Sequence, residues 1–309
     1  MSFTATIKAE IIESSKSNAE KISELAAIIK NISEITDLIK ISTENIVVFK
    51  HIYDLIFEIY HIKPKIVVRK SYNFSKNYMY ILEVNKKNKE ILNDLCIIKN
   101  GIHLNIPSDY LISDFELLRA YLRGVFLSVG SISDPKTSRY HLELLVSNKE
   151  YANFISNKLN ENRLNSKIIK RDNKYMIYIK EAEKISDFLR IIGANNAVLY
   201  YEDIRIYRDY KNMTNRLNNC EQANIDKIVL TAHSQIEDIE LIEKEASLDL
   251  LQDKVKEVAI YRKKYPEVSL LELSEIITLE TGNTITKSGI YHRMKKINEL
   301  AKKIREKEE

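Results

Sequence analysis

The sequence predicts an α+β protein in which one folding unit occurs twice, followed by an all-α domain that ends in a helix-turn-helix. Three observations lead to this prediction. Two amphipathic helices about a hundred residues apart carry small residues, Ala27 and Gly124, at matching places. The same order of strands and helices, α-β-α-β-β-α, follows from each of them. The last third of the chain shows helical patterns that end in a strongly basic helix.

The second of these amphipathic helices, residues 115–130, is the best defined element. Its apolar residues recur in steps of three and four, as on one face of a helix, at Phe115, Leu118, Leu122, Val125 and Val129. Gly124 lies inside this pattern, although glycine costs roughly 1 kcal/mol relative to alanine within a helix. We therefore expect a second backbone to approach Gly124 closely. The weaker pattern in residues 25–33 would supply that partner, and two ordinary amphipathic helices are the alternative.

Each core helix is followed by elements of similar length. We predict in the first repeat a strand at 35–43, a helix at 44–60, strands at 65–70 and 78–84, and a helix at 89–95. The second repeat has a strand at 140–147, a helix at 148–162, strands at 167–171 and 175–180, and a helix at 183–192. The duplicated domain is placed at 1–215, with pseudo-repeats at about 1–100 and 110–200. Residues 215–224, rich in asparagine, are expected to form a connector, and 216–309 a helical domain.

Composition limits the classes of protein to consider. The chain of 309 residues is long enough for about two domains, and its two cysteines predict no disulfide framework. The few cysteines and the lack of a signal-like N-terminus predict a cytoplasmic protein. No apolar run approaches the ~18 residues of a membrane span, so we expect no membrane partner. The histidines and cysteines show no metal-ligand spacing, and no glycine-rich phosphate loop is present. We therefore expect no metal and no cofactor.

Positive charge is concentrated in two places. Residues 61–89 hold eight basic residues against one acidic residue, Glu83, on a predicted β-hairpin. Clustered cations of this kind are typical of a surface that binds phosphates. The alternative is a solvated basic face without a partner. The candidate DNA-binding residues on this hairpin are Lys63, Lys65, Arg69, Lys70 and Lys76.

The second concentration lies in the predicted helix-turn-helix at about 269–304. Ser269 and Glu272 have the spacing of a capping box that starts a short helix. A turn at 281–284 leads to a helix at 287–304, whose N-terminal side chains would enter the major groove of DNA. A helical hairpin packed on the first domain is the alternative. The candidate recognition residues are Lys287, Ser288, Tyr291, His292, Arg293, Lys295 and Lys296.

Several long motifs, in this order along the chain, resemble the bacterial WhiA family. They are residues 2–10 (SFTATIKAE), 119–135 (RAYLRGVFLSVGSISDP), 215–227 (NRLNNCEQANIDK), 235–239 (QIEDI) and 286–293 (TKSGIYHR). The resemblance implies a first domain like the LAGLIDADG homing endonucleases and a helix-turn-helix like region four of sigma factors. It also implies a nucleoid-associated regulator of sporulation, cell division or chromosome segregation. Two departures are a missing glycine after Ile32 and a longer turn before Thr286.

The resemblance also predicts whether the first domain cuts DNA. The nuclease relatives carry a nine-residue core motif twice, and residues 25–33 and 122–130 correspond to it here. The eighth residue of each motif is acidic in those nucleases, where the two carboxylates hold divalent cations. The corresponding residues here are Ile32 and Val129, whose side chains offer no oxygen ligand. Glu34 and Asp134 are near in sequence, and we expect them beyond a turn. We therefore predict no catalytic residues and no enzyme activity, with an active nuclease as the rejected alternative.

Two hypotheses for the function remain. In the first, the chain is a sequence-specific DNA-binding regulator whose helix-turn-helix reads double-stranded DNA while the hairpins of the first domain lie along it. In the second, the first domain is mainly a protein-interaction module, which binds other transcription or division proteins, and DNA binding is confined to the helix-turn-helix. The oligomeric state is left open by the sequence.

Overall fold

A computed structural model describes residues 2–14, 16–70, 78–99, 101–137 and 139–308. The chain folds into two compact units, residues 1–208 and 209–309. The first unit contains both repeats and two four-stranded antiparallel sheets. The second unit is helical. This organisation confirms the predicted fold class, and the division falls within one long helix a few residues before the predicted boundary at 215–216.

The first repeat begins with two helices and continues with an antiparallel sheet of strand order β1-β2-β4-β3. Its predicted strand at 35–43 is in fact two short strands, because the chain leaves the core helix directly as β1 and turns back as β2. The elements are α1 (Phe3–Glu13), α2 (Asn18–Ile32), β1 (Ser33–Ile35), β2 (Ile39–Thr43), α3 (Ile46–Tyr60), β3 (Lys65–Lys70), β4 (Tyr78–Val84) and α4 (Asn88–Asp94). A small hairpin of β5 (Ile98–Lys99) and β6 (Ile102–His103) and a 3-10 turn (Asp109–Ile112) lead to the second repeat.

The second repeat has the equivalent sheet order, β7-β8-β10-β9. The register is equivalent as well, since Ser33 pairs with Ile41 in the first sheet and Gly130 with Leu144 in the second. The elements are α5 (Phe115–Val129), β7 (Gly130–Ile132), β8 (Leu142–Val146), α6 (Lys149–Glu161), β9 (Lys167–Arg171), β10 (Lys174–Ile179) and α7 (Ala182–Ile192). In each half, one core helix therefore leads directly into one four-stranded sheet.

The core helices α2 and α5 pack against each other at Gly124, as the sequence predicts. A Cβ atom at this position would overlap the carbonyl oxygen of Glu24 and lie 2.8 Å from Cβ of Ala27. Glycine is therefore required by the approach of a neighbouring backbone and not by an unusual backbone angle. Leu25 on α2 and Val125 on α5 are completely buried in the same hydrophobic core.

Beside this contact lies a buried ionic cluster that the sequence analysis did not identify. The carboxylate of Glu24 is fully buried and accepts from His51 Nε2 at 2.5 Å, Lys16 Nζ at 3.0 Å and Arg123 Nε at 3.1 Å. Arg123 also binds Glu20 at 2.8 Å. Burial opposes ionisation of Glu24, but His51, Lys16 and Arg123 outweigh it, so the pKa of Glu24 lies below its usual value. The cluster joins α5 of the second repeat to α2 and α3 of the first.

The expected connector at 215–224 is helical, and this prediction was wrong. It lies within α8 (Asn195–Glu245), a continuous helix of 51 residues. Asparagine is a poor helix former, but extending an existing helix avoids the unfavourable nucleation step. The helix is anchored at both ends, because Tyr201 is buried in the core of the first unit and Ile239 in that of the second.

The second unit packs the end of α8 against three further helices around one small apolar core. A short 3-10 turn (Leu248–Leu250) follows α8. The remaining elements are α9 (Asp253–Lys264), α10 (Leu270–Thr281) and α11 (Lys287–Glu308). None of the helices in the described part of the chain is both long and apolar enough to cross a lipid bilayer.

Candidate nucleic-acid interface

The helix-turn-helix consists of α10 and α11, with α9 packed against both. The predicted capping box starts α10: the Glu272 amide donates to Ser269 Oγ at 3.2 Å, and the Ser269 amide donates to the Glu272 carboxylate at 2.7 Å. Gly282 ends the helix in the left-handed region with φ of 74°. The hydroxyl of Thr278 accepts from the Ile285 amide across the turn, at 3.2 Å. These hydrogen bonds fix the direction in which α11 begins.

One face of α11 packs inward and the opposite face is exposed. The buried side chains are those of Ile290, Met294, Ile297 and Ala301. Ser288, His292 and Lys296 follow one another in steps of four residues, so they lie in one row on the exposed face. Lys287 and Lys296 make no salt bridge with any residue in the described ranges, whereas Lys295 lies 3.9 Å from Glu299. The row therefore offers one uncommitted amine, an imidazole and a hydroxyl to a ligand.

Two other predicted recognition residues lie on the flanks of α11. Arg293 is only 24% exposed, and its guanidinium lies 3.8 Å from the carboxylate of Glu257 on α9. Tyr291 is exposed but borders a groove of about 450 Å³ between α11 and the end of α8. Arg293 is thus held on the side of α9, whereas the ring of Tyr291 lies 5.8 Å from that of His292 at the other edge of the row.

The basic end of α11 is partly neutralised within the second unit. Asp238 on α8 is buried and accepts from Asn298 Nδ2 at 2.6 Å and from Arg305 at 2.8 Å. Arg305 adds to the positive charge of this helix along the sequence, yet it holds α11 against α8. Arg305 is therefore less available to a ligand than its place in the sequence suggests.

The first hairpin does not present all its candidate residues on one side. Directly opposite residues of a sheet share a face, so the register places Lys65 and Arg69 on the face opposite the buried row of Ile39 and Ile41. We call this side of each sheet its far face. Lys70 points to the other side. Lys63 precedes β3 and lies 5.8 Å from the ring of Phe57, outside the sheet. The last candidate, Lys76, lies outside the described residues.

Carboxylates on the same far face reduce the positive charge of the first sheet. Lys65 lies 3.3 Å from Glu83, and Lys40 lies 3.6 Å from Glu34. Of the candidates on this far face, Arg69 makes no ion pair with any residue in the described part of the chain. The count of basic residues along the sequence thus overestimates the charge that this sheet presents.

The second hairpin is a basic surface that the sequence analysis missed. Residues 167–180 hold five basic residues against Asp172 alone, so the same count that identified the first hairpin would have found it. The far face of this sheet carries Lys167 opposite Tyr178. The ring of Tyr178 lies 6.0 Å from that of His141 and 5.0 Å from Lys180 Nζ. Cations alternate with rings here, as in surfaces on which nucleic acids bind.

A cavity of about 710 Å³ adjoins this hairpin. Its lining includes hydroxyl, imidazole and cationic groups from the loop after β7 and from the end of β10: Ser133, Thr137, Arg139, Tyr140, His141 and Lys180. Glu143 lies on the same far face, 3.3 Å from His141. Lys167, Arg171 and Lys174 outnumber it there, so this face and the cavity together form a second surface of net positive charge on the first unit.

The two degenerate catalytic positions end the core helices. Ile32 is the last residue of α2 and Val129 the last of α5, and both side chains pack against the hydrophobic core. The expectation that Glu34 lies beyond a turn was wrong, because α2 continues directly into β1 and Glu34 lies within that strand. Asp134 follows β7 and accepts from the amide of Lys136 at 2.9 Å. Within the described ranges, no three histidine, cysteine or acidic side chains form a group that could hold a metal ion.

Comparison with known proteins identifies each part of the chain. Residues 18–98 match the WhiA N-terminal LAGLIDADG-like domain, 118–211 the WhiA LAGLIDADG-like domain, and 214–301 the WhiA C-terminal HTH domain. The chain is 44% identical over 312 residues to the probable cell division protein WhiA of Staphylococcus haemolyticus strain JCSC1435, covering 99% of this chain and 98% of that protein. The protein of the same name in Staphylococcus aureus strain JH9 is 41% identical, covering 100% and 99%.

Solved structures agree with the sequence comparisons. The crystal structure of full-length DUF199/WhiA from Thermatoga maritima is similar with a TM-score of 0.60 and 26% identity, covering 98% of this chain and 99% of that chain. A structure of the N-terminal LAGLIDADG domain of DUF199/WhiA is similar with a TM-score of 0.52 and 25% identity, over 62% of this chain and 90% of that one. These findings agree with the resemblance seen in the sequence motifs, and the chain belongs to the WhiA family.

Proposed function

We propose that this protein is a sequence-specific DNA-binding regulator of cell division, chromosome segregation or sporulation, located in the cytoplasm at the nucleoid. The observation that carries the proposal is the exposed row of Ser288, His292 and Lys296 on the first turns of α11. A helix of this kind reads base edges in the major groove. Lysine binds guanine and polar side chains bind adenine or other bases, while Lys287 and Lys295 would contact phosphates.

Lys296→Ala tests the recognition row. We expect it to weaken binding to a specific DNA fragment by ~1–3 kcal/mol and to relax base preference at one position, because the amine faces outward and is uncommitted. The fragment is recovered by crosslinking the protein to DNA in its own cell, and binding is measured by gel shift. Lys302→Ala, an exposed lysine further along the same helix, is the matched control. Equal binding by Lys296→Ala and the control would remove the role proposed for this face.

Arg293→Ala should behave differently from Lys296→Ala. Its guanidinium is paired with Glu257 on α9, so its removal changes the packing of α11 against α9 as well as its charge. Any loss of DNA binding by this variant should therefore be accompanied by a lower Tm of the second unit. We propose that Arg293 orients α11, with Tyr291 at the opposite edge of the reading face.

The first unit is proposed to lie along DNA through its hairpins, with the second hairpin contributing more than the first. Charge reversal of Lys167, Arg171 and Lys174 should reduce the slope of log affinity against log salt by about 0.9 for each phosphate that is no longer bound. Charge reversal of Lys65, Arg69 and Lys70 should change the slope less, because Glu83 already neutralises Lys65. Fluorescence anisotropy at several salt concentrations provides both slopes.

Unchanged slopes in both variants would favour the second candidate function, in which the first unit mainly binds transcription or division proteins. One observation supports this candidate: two lysines on the far face of the first sheet are paired with carboxylates. A surface with balanced charges suits a protein partner better than a phosphate backbone.

The protein is proposed not to cleave DNA. Ile32 and Val129 occupy the places of the two carboxylates that a LAGLIDADG nuclease uses to hold metal ions, and a hydrocarbon side chain cannot ligate Mg²⁺. Supercoiled plasmid carrying the bound fragment should therefore stay supercoiled with the protein and Mg²⁺, while a homing endonuclease cuts its own target in parallel. A DNA-nicking activity that copurifies with the protein and is abolished by EDTA would contradict this proposal.

A further inference from the structure

The middle of α8 is a helix without a partner in its own chain. Every residue from Asp209 to Lys227 is exposed. Five of these nineteen residues are asparagine, a poor helix former. Helices in proteins are stabilised mainly by packing one face against another element, and no element of the described chain covers this stretch. The anchors at both ends of α8 allow the helix to continue through this stretch, but its exposed apolar residues have no partner in the described chain.

Four of the exposed apolar side chains of this stretch form one line, while Ile225, 53% exposed, lies beside it. Tyr210, Met213, Leu217 and Cys220 are separated by three, four and three residues, and Asn224 follows after four more. Tyr210, Met213 and Leu217 are 70%, 63% and 54% exposed. This spacing is the heptad pattern of a coiled-coil seam, with Tyr210, Leu217 and Asn224 at a positions and Met213 and Cys220 at d positions. Such a seam packs against another helix of the same pattern.

We propose that this seam pairs with the same seam of a second copy of the chain, in parallel and in register. The charges beside the seam fit that arrangement. In a parallel pair each g residue faces the e residue five places later on the other helix. Arg216 is at g and Glu221 at e, so the pair brings opposite charges together on both sides. Neither residue makes an ion pair within the described part of its own chain.

The polar residues of the seam fit a symmetric pair as well. A single asparagine at an a position pairs with its equivalent and thereby fixes the register, at some loss of stability. Asn224 is placed to do this at the end of the seam. In the same register the two Cys220 side chains face each other, since a d residue meets its own counterpart. A dimer of this kind carries two helix-turn-helix units, as is common for proteins that bind paired half-sites.

Cys220 provides a direct test in the full-length protein. Cys96 is replaced by serine so that Cys220 is the one thiol, and the protein is oxidised with copper phenanthroline. We expect a covalent dimer on a non-reducing gel that disappears with a reducing agent. The matched control carries Cys220→Ser and Gln222→Cys in the same background, which moves the thiol to an f position facing away from the seam. Equal cross-linking in the two proteins would overturn the proposal.

The charge pair tests the parallel register. Arg216→Glu places a second carboxylate opposite Glu221 of the other copy and should raise the dimer dissociation constant roughly tenfold. Adding Glu221→Arg restores opposite charges and should restore the dimer. In an antiparallel pair, g residues face g residues and e residues face e residues, so Arg216 would not meet Glu221 of the other copy. The double variant would then not regain the dissociation constant of the natural chain. Sedimentation equilibrium measures both constants. A single-chain mass at every concentration would overturn the proposal and would leave DNA or another protein as the partner of the seam. A double variant that fails to recover the dimer would overturn it as well.

Discussion

Gly124→Ala is expected to destabilise the first unit by ~1–3 kcal/mol, although alanine is a better helix former than glycine. The new methyl group would overlap the carbonyl oxygen of Glu24 and lie 2.8 Å from Cβ of Ala27. The carbonyl is backbone, so α2 and α5 must move apart and lose part of their shared burial. Urea unfolding followed by circular dichroism measures the loss in the free energy of unfolding, and Gly124→Val should increase this loss.

Gly289→Ala is the matched control for this prediction. Gly289 also lies within a helix, but a Cβ there would meet its nearest atoms at 3.4 and 3.5 Å, which is ordinary van der Waals contact. The same substitution should therefore stabilise α11 by roughly 0.5–1 kcal/mol. Ala27→Gly should relieve Gly124→Ala only in part, since the contact with the Glu24 carbonyl remains. Stabilisation by Gly124→Ala would contradict the close approach of the two backbones.

Glu24→Gln is expected to have the largest effect on stability, ~3–5 kcal/mol. The amide has nearly the same shape as the carboxylate but no charge, so Lys16 and Arg123 keep their buried charges without the group that compensates them. The control is Glu116→Gln, whose carboxylate pairs with Arg119 at the surface with 61% of its side chain exposed. The loss of stability caused by Glu116→Gln should remain below ~1 kcal/mol. Equal midpoints of urea unfolding for the two variants would show that the cluster contributes little.

The same carboxylate predicts how the stability depends on pH. The pKa of Glu24 is lowered in the folded chain by His51, Lys16 and Arg123, so folding favours the ionised form. Its contribution is fully present above about pH 4.3, where an unfolded glutamate is ionised, and is lost as the pH falls through the lower folded pKa. Glu24→Gln should therefore lose less stability than the natural chain as the pH is lowered through this window, and urea unfolding at several pH values measures the difference.

The structure could be predicted from the sequence where a local pattern of residues is compatible with only one arrangement. The period of apolar residues around Gly124, together with Ala27, predicted a close pair of helices, and Ser269 with Glu272 predicted a helix start. Both inferences depend on residues that are near in sequence or repeated along it. The ionic cluster could not be predicted in this way, because Glu24 and Arg123 are separated by 99 residues and nothing in the sequence pairs them.

Two other differences between the predictions and the structure also have specific causes. The connector was predicted from the low helix propensity of its asparagines, but α8 is anchored on both sides and continues through them. On α11, counting basic residues could not show that Arg293 is held by Glu257 while Lys296 is uncommitted. Helical spacing alone would have placed Ser288, His292 and Lys296 in one row, and this signal was available.

The contact between α2 and α5 also determines whether either half of the first unit could fold alone. A half separated from its sister would expose the apolar side of its core helix, and Arg123 would lose Glu24. Neither half is therefore an autonomous folding module, and changes at the contact are constrained by both halves at once. The outer strands take no part in this contact, and equivalent places of the two ladders hold Glu83 in one copy and Tyr178 in the other. The two halves of the first unit are therefore expected to unfold together rather than one after the other.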